Sequence, residues 1–200
     1  MVKLLLAGTG LIGHRHMQHI LEHPDLELVG IIDPIITDEK IEGVTTYSSL
    51  IDVNKHADGI ILATPTETHA DLTIQSLEMG LHVLVEKPVA ASLLEADKMI
   101  RASEKTGLSI LVGHHRRHHP LVKETINILK SGKIGRPVAA SLMWLMRKQD
   151  EYFDVEWRKG IDGGPIKQNL IHDVDTLRAF FGEVISCLLY TSDAADRAVV

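Results

Sequence analysis

The feature that most constrains this chain is a glycine pattern. Gly8-Thr9-Gly10-Leu11-Ile12-Gly13 follows the apolar run Leu4-Leu5-Leu6-Ala7 and leads into a stretch with helical periodicity. Each glycine answers a different steric demand. The first permits a tight turn, the second lets a pyrophosphate approach the backbone, and the third lets a helix pack closely on the strand, so that helix N-terminal amides meet the phosphates. Asp33 closes the next apolar run, twenty residues after Gly13. A carboxylate at that spacing reaches the hydroxyls of an adenosine ribose. The pattern therefore predicts a dinucleotide site built from Gly8, Gly10, Leu11, Ile12, Gly13 and Asp33. Asp33 favours NAD over NADP, because a carboxylate repels a 2′-phosphate. Pro34, Ile35 and Ile36, which follow it, offer that phosphate no cation.

Short apolar runs alternate with amphipathic stretches, as parallel strands do when joined by helical crossovers. Strands are expected over 3–7, 27–33, 59–63, 82–85 and 109–112, and helices over 11–23, 68–79 and 93–106. Ser92, with Glu95 three residues on, forms a capping box for the third helix. The fold class is α/β, with an N-terminal Rossmann domain, a doubly wound parallel sheet, over residues 1–118. From His119 the rhythm changes. A helix over 121–130, a strand-like run over 138–146, a polar loop with aromatic residues and a helix over 167–181 predict that a second domain starts here, over 119–186.

Charge narrows the partners. With 21 Lys and Arg against 27 Asp and Glu, the formal net charge is −6, and no basic stripe exists for nucleic acid. A small molecule is the expected ligand. The single cysteine, Cys187, cannot form an internal disulfide, which fits a reducing, cytoplasmic setting. No stretch approaches the roughly 18 apolar residues of a membrane span. His114, His115, His118 and His119 surround Arg116 and Arg117 but lack the spacing and companion carboxylates of a zinc site, so no metal is expected. His16, His19 and His23 read as a polar helix face and are assigned no function.

The fourth strand ends in Val85-Glu86-Lys87-Pro88. Ligands bind at the carboxyl ends of strands in open α/β sheets, which places Lys87 toward a cofactor crevice. Pro88 keeps Lys87 out of helical conformation, and an X-Pro bond there can be cis. Taken alone, the element reads equally well as an exposed Glu-Lys pair before a turn.

Several motifs together resemble the Gfo/Idh/MocA oxidoreductases, a family that includes glucose–fructose oxidoreductase and inositol dehydrogenases. They are the glycine loop, Asp33, Ala63-Thr64-Pro65 with His69, Glu86-Lys87-Pro88, Gly113-His114-His115-Arg116-Arg117, Trp157-Arg158, Gly163-Gly164-Pro165 and Asn169-Leu170-Ile171-His172-Asp173-Val174-Asp175. The resemblance implies NAD(P)-dependent hydride transfer at a secondary hydroxyl of a sugar or cyclic polyol. It places Lys87 beside the nicotinamide, orienting the hydroxyl, and makes His172 the base. Thr64, Pro65, His69, Glu86, Arg116, Trp157 and Arg158 would join the cofactor site; His115, Gln168 and Asn169 would join Lys87 and His172 at the substrate. It makes residues 119–186 the start of an incomplete C-terminal α/β substrate and dimerisation domain, and a homo-oligomer is implied as well. A neutral histidine suits proton abstraction, and a charged lysine stabilises a developing alkoxide.

One position departs from the pattern. The family's inositol dehydrogenases carry an aspartate four residues before the histidine, and Gln168 stands there. Gln168 can hydrogen-bond substrate but cannot pair with His172 as a carboxylate. Asp173 and Asp175 read either as helix-face residues or as orienting partners of His172. Two other functions stay open: a non-catalytic sensor of NAD or a sugar, and an enzyme using bound NAD for net non-redox chemistry. Residues 187–200 do not continue the family pattern and are expected to be a non-native tail on a truncated second domain. Such a chain is expected to bind NAD weakly and to turn over little substrate.

Overall fold

The computed structural model describes residues 1–36, 38–143, 145, 147–154 and 169–188. Two compact units are distinguished. One comprises Met1–His114 with Met146–Ile171, and the other His115–Leu145 with His172–Val200.

The first unit is built on a seven-stranded sheet. Its strands are β1 (Val2–Ala7), β2 (Leu26–Ile32), β3 (Lys40–Ile41), β4 (Val44–Tyr47), β5 (Gly59–Leu62), β6 (His82–Val85) and β7 (Ile110–Val112). The spatial order is β3-β4-β2-β1-β5-β6-β7, parallel throughout except for the antiparallel β3–β4 pair. The helices are α1 (Leu11–Glu22), α2 (His69–Glu78) and α3 (Leu93–Thr106). From β1 the chain first builds outward through β2. It then returns to β5 on the other side of β1, and this reversal opens a crevice at the carboxyl ends of β1 and β5.

Alternation along β1 assigns the two faces. Leu5 and Ala7 pack in one core with Ala70 and Leu77 of α2 and Met99 of α3. Leu6 packs in a separate core with Met17 and Ile20 of α1. A strand buried on both faces has no polar side to show, which is why these runs read as continuously apolar. The register between β1 and β2 shifts by one residue between Leu4 and Leu5. That irregularity returns Ile31 to the α1 face and Ile32 to the opposite core.

In this unit the predicted elements fall within a residue or two of those observed. Ser92 caps α3 by accepting from the Glu95 N–H at 3.2 Å, while the Glu95 carboxylate accepts from the Ala91 N–H at 2.9 Å. Gly107 ends α3 in the left-handed conformation with φ of 70°. The β3–β4 hairpin was not expected. Its turn places Glu42 at φ 49° and Gly43 at φ 81°, the two positive values of a primed hairpin turn.

In the second unit the described residues form α4 (Pro120–Lys130), α5 (Ile171–Phe181) and a 3-10 turn over His115–His118. Pro120 opens α4 at a position where its missing N–H costs nothing, and His119 caps it by accepting from the Leu121 N–H at 3.2 Å. The run expected as a strand over 138–146 is irregular and exposed in its described residues. A strand needs a neighbour to take its backbone hydrogen bonds, and no described residue lies beside this run as a paired strand.

Candidate cofactor and substrate site

Steric demands shape the glycine loop. Gly8 has φ of 89°, and a Cβ there would meet the Ala63 carbonyl oxygen at 2.6 Å. This glycine lets β1 turn against the end of β5. A Cβ on Gly13 would lie 2.0 Å from the Gly8 carbonyl oxygen, so α1 can start this close to the turn only without a side chain. Gly10 is different, because nothing lies within 4 Å of its would-be Cβ. The space it leaves open is at the N-terminus of α1, where backbone amides point outward and an anion is favoured. Leu11 and Ile12, the first residues of α1, are exposed beside it.

Asp33 sits just beyond β2 and is tied to the loop. Its Oδ2 accepts from the Thr9 N–H at 3.0 Å and from the Thr9 hydroxyl, and its Oδ1 accepts from the Ile35 N–H at 3.0 Å. Partial burial pushes its pKa up. The bonds from the Thr9 hydroxyl, the Ile35 N–H and the Thr9 N–H outweigh that and hold the carboxyl below its ordinary range. The group is therefore an anion, half-exposed at the rim of the crevice. An open anion-binding turn, a missing Cβ where a pyrophosphate would pass and a fixed carboxylate just beyond the second strand fit a dinucleotide.

The turn after β5 holds Thr64 and the exposed Pro65, and the Thr68 hydroxyl donates to the Thr64 hydroxyl at 2.7 Å. His69 starts α2 at 1% exposure. Its Nε2 lies 2.9 Å from the Thr64 carbonyl oxygen and its Nδ1 2.8 Å from the Pro88 carbonyl oxygen. Lys87 is half-buried in the turn after β6, and the Lys87–Pro88 peptide is cis. Glu86 turns toward the protein: its Oε1 is 2.9 Å from His16 Nε2 of α1, and its Oε2 accepts from the Lys87 N–H at 3.2 Å. Burial raises the Glu86 pKa, but the His16 bond and charge, with smaller help from Lys87, hold it below the ordinary range. A Cβ on Gly113 would press on this carboxyl at 3.0 Å. Sequence reasoning left His16 without a role. The signal that marks it is its place one turn into α1 together with a buried acid that needs a donor.

In the second unit, His172 lies in the first turn of α5 at 6% exposure. Its ring meets that of His115 edge-on, with centroids 4.8 Å apart. Two ion pairs hold α5 to the 3-10 turn. Arg116 donates to Asp173 at 2.6 Å and Arg117 to Asp175 at 2.7 Å. The hydrogen bond that Arg117 donates to Asp175 raises the Arg117 pKa above its already high value. Arg116, expected near the cofactor, has its guanidinium on Asp173. Asp173 and Asp175 thus orient the helix that carries His172. Asn169 lies half-buried just ahead of α5, whereas Gln168, Trp157 and Arg158 lie outside the described residues.

Sheet order, glycine loop and fixed carboxylate together define a dinucleotide-binding α/β protein. The sequence profile of Gfo/Idh/MocA proteins, an oxidoreductase family with an NAD-binding Rossmann fold, matches residues 2–114, and the chain belongs to that family. It is 29% identical to the oxidoreductase YrbE of Bacillus subtilis (strain 168), covering 90% of this chain and 54% of that one. It is 27% identical to an inositol 2-dehydrogenase of Rhizobium meliloti (strain 1021), covering 99% and 61%. Among solved structures, the WlbA dehydrogenase of Bordetella pertussis in complex with NADH and UDP-GlcNAcA superposes with a TM-score of 0.78 at 27% identity, covering 90% of this chain and 55% of that one. The chain spans about half the length of the curated relatives it matches. Among the described residues, no helix is long and apolar enough to cross a membrane.

Proposed function

We propose that the protein is an NAD-dependent dehydrogenase that oxidises a secondary hydroxyl of a sugar or cyclic polyol. The observation that carries the reading is the glycine cradle with Asp33 fixed as an anion by Thr9 and Ile35. A 2′-phosphate would meet that negative charge with no cation in Pro34-Ile35-Ile36 to balance it, so NAD is preferred to NADP. The relative named an inositol 2-dehydrogenase and the WlbA dehydrogenase solved with NADH and UDP-GlcNAcA support the substrate class.

The bound nicotinamide supplies the hydride acceptor. The chain's own residues supply the rest. His172 takes the hydroxyl proton as a general base, and the Lys87 ammonium orients the hydroxyl and stabilises negative charge as it develops on oxygen. His115 and Asn169 contact the polyol, and Thr64 and Pro65 line the cofactor. Residues 119–186 open the domain that holds the substrate.

Inositols and aldoses supplied with NAD provide the test, made on protein that carries the whole second domain, with NADH formation followed at 340 nm. Turnover is expected to fall at least about a hundredfold in both Lys87→Ala and His172→Ala. Undiminished turnover in both variants would overturn the assigned roles.

A further inference from the structure

The turn that carries Lys87 is held from both faces of the sheet by one histidine each, and we propose that His16 and His69 are positioning residues for Lys87. The inference rests on the dehydrogenase reading for its meaning, but the contacts stand apart from it. α1 covers one face of the sheet, with Met17 and Ile20 in the core that Leu6 enters. α2 covers the other, with Ala70 and Leu77 in the core of Leu5 and Ala7. His16 reaches from α1 to the Glu86 carboxylate at 2.9 Å, and the other oxygen of that carboxylate takes the Lys87 backbone N–H at 3.2 Å. His69 reaches from α2 to the carbonyl of Pro88 at 2.8 Å. Residues on both sides of Lys87 are therefore anchored, and the anchors come from opposite directions.

His69 does a second thing with its remaining nitrogen. At 2.9 Å from the Thr64 carbonyl oxygen, Nε2 ties the turn after β5 to the turn after β6. These are the segments that the proposed function assigns to the cofactor and to the reacting hydroxyl. A neutral ring carries one N–H and donates to one carbonyl at a time, while an imidazolium donates to both. The ring, 1% exposed, fills the gap between the two turns. A side chain that acts only after it is aimed within a fraction of an ångström needs such support. Gly113 completes the arrangement, because any side chain there would push on the Glu86 carboxyl that His16 holds.

The experiment reads Lys87 directly, without substrate. Cofactor-free protein is trace-acylated with acetic anhydride, and modification at Lys87 is quantified by mass spectrometry relative to the other lysines. NADH affinity is measured in parallel by fluorescence. His16→Leu and His69→Leu keep bulk but remove the donor, and each is expected to change the relative reactivity of Lys87 by about threefold or more. His69→Leu is also expected to weaken NADH about tenfold, because it frees the Thr64 turn. His16→Gln and His69→Gln retain an N–H donor and are expected to stay within about twofold of wild type on both measures. Folded Leu variants with unchanged Lys87 reactivity would overturn the proposal, and so would Gln variants that fall as far as the Leu variants. If a Leu variant does not fold, His16→Ser and His69→Ser, too short to reach their partners, are judged by the same two criteria. Protection of Lys87 by NADH in the wild type separately tests its place beside the cofactor. Failure there would count against the dehydrogenase reading while leaving the brace to be judged on the cofactor-free labelling.

Discussion

At the scale of single residues, the glycine loop shows that three identical side-chain absences have three different consequences. A methyl group at Gly13 meets a backbone oxygen at 2.0 Å. The oxygen cannot swing aside as a flexible side chain would, so Gly13→Ala must shift α1 and is expected to cost about 1–3 kcal/mol in urea unfolding. Gly10 has φ of −64° and open space around it. Gly10→Ala is accordingly expected to leave stability within about 0.5 kcal/mol of wild type and to weaken NADH at least about tenfold, because the methyl occupies the path of the pyrophosphate. Equal loss of stability in both variants would contradict the geometry. The same scale sets the acid response. Asp33 and Glu86 both have folded-state pKa values below their ordinary ones, so the folded state binds fewer protons than the unfolded state as these groups titrate. Their contribution is fully present above the unfolded values near pH 4 and is lost as pH falls through the folded values. Unfolding free energy measured from pH 5 to pH 3 is expected to decline, and to decline less steeply in Asp33→Asn and Glu86→Gln.

At the scale of elements, legibility followed burial. The central strands were readable because a strand covered on both faces is apolar at successive positions, and α3 because Ser92, Glu95 and Gly107 each mark an end. The β3–β4 hairpin escaped because Val44-Thr45-Thr46-Tyr47 is short, polar in the middle and only half-buried, and because its turn carries Glu42 where asparagine or aspartate would announce a primed turn. The glycine loop and Asp33 were legible from spacing. The His16–Glu86 bond was not, since the partners are 70 positions apart and meet only when α1 packs on the assembled sheet. The hairpin gives the prediction at this scale. Glu42 holds φ of 49°, a conformation costly for most residues and mild for asparagine. Glu42→Asn is expected to raise stability by about 0.5 kcal/mol in urea unfolding, and a loss of stability would mean that Glu42 makes a contact the turn needs.

At the scale of the whole molecule, the distribution of exposed apolar side chains decides how the chain behaves with copies of itself. Isolated exposed residues are ordinary, whereas neighbouring ones form an association surface. Leu11 and Ile12, 73% and 38% exposed, make only a small pair beside the glycine loop. Val138, Met143 and Leu145, by contrast, are 90%, 80% and 83% exposed within a single irregular run. A run with free backbone N–H and C=O groups beside such side chains can pair with another chain as well as adhere to it. The net charge of −6 opposes that approach, and salt screens the opposition without weakening apolar contact. The 200-residue chain is therefore expected to self-associate with rising concentration in sedimentation velocity, and to do so more strongly at 0.5 M than at 0.05 M NaCl. Replacing Val138, Met143 and Leu145 together by lysine, which moves the net charge toward zero, would strengthen association if charge repulsion were its main control and weaken it if apolar contact is. The exposure of the run requires the second outcome.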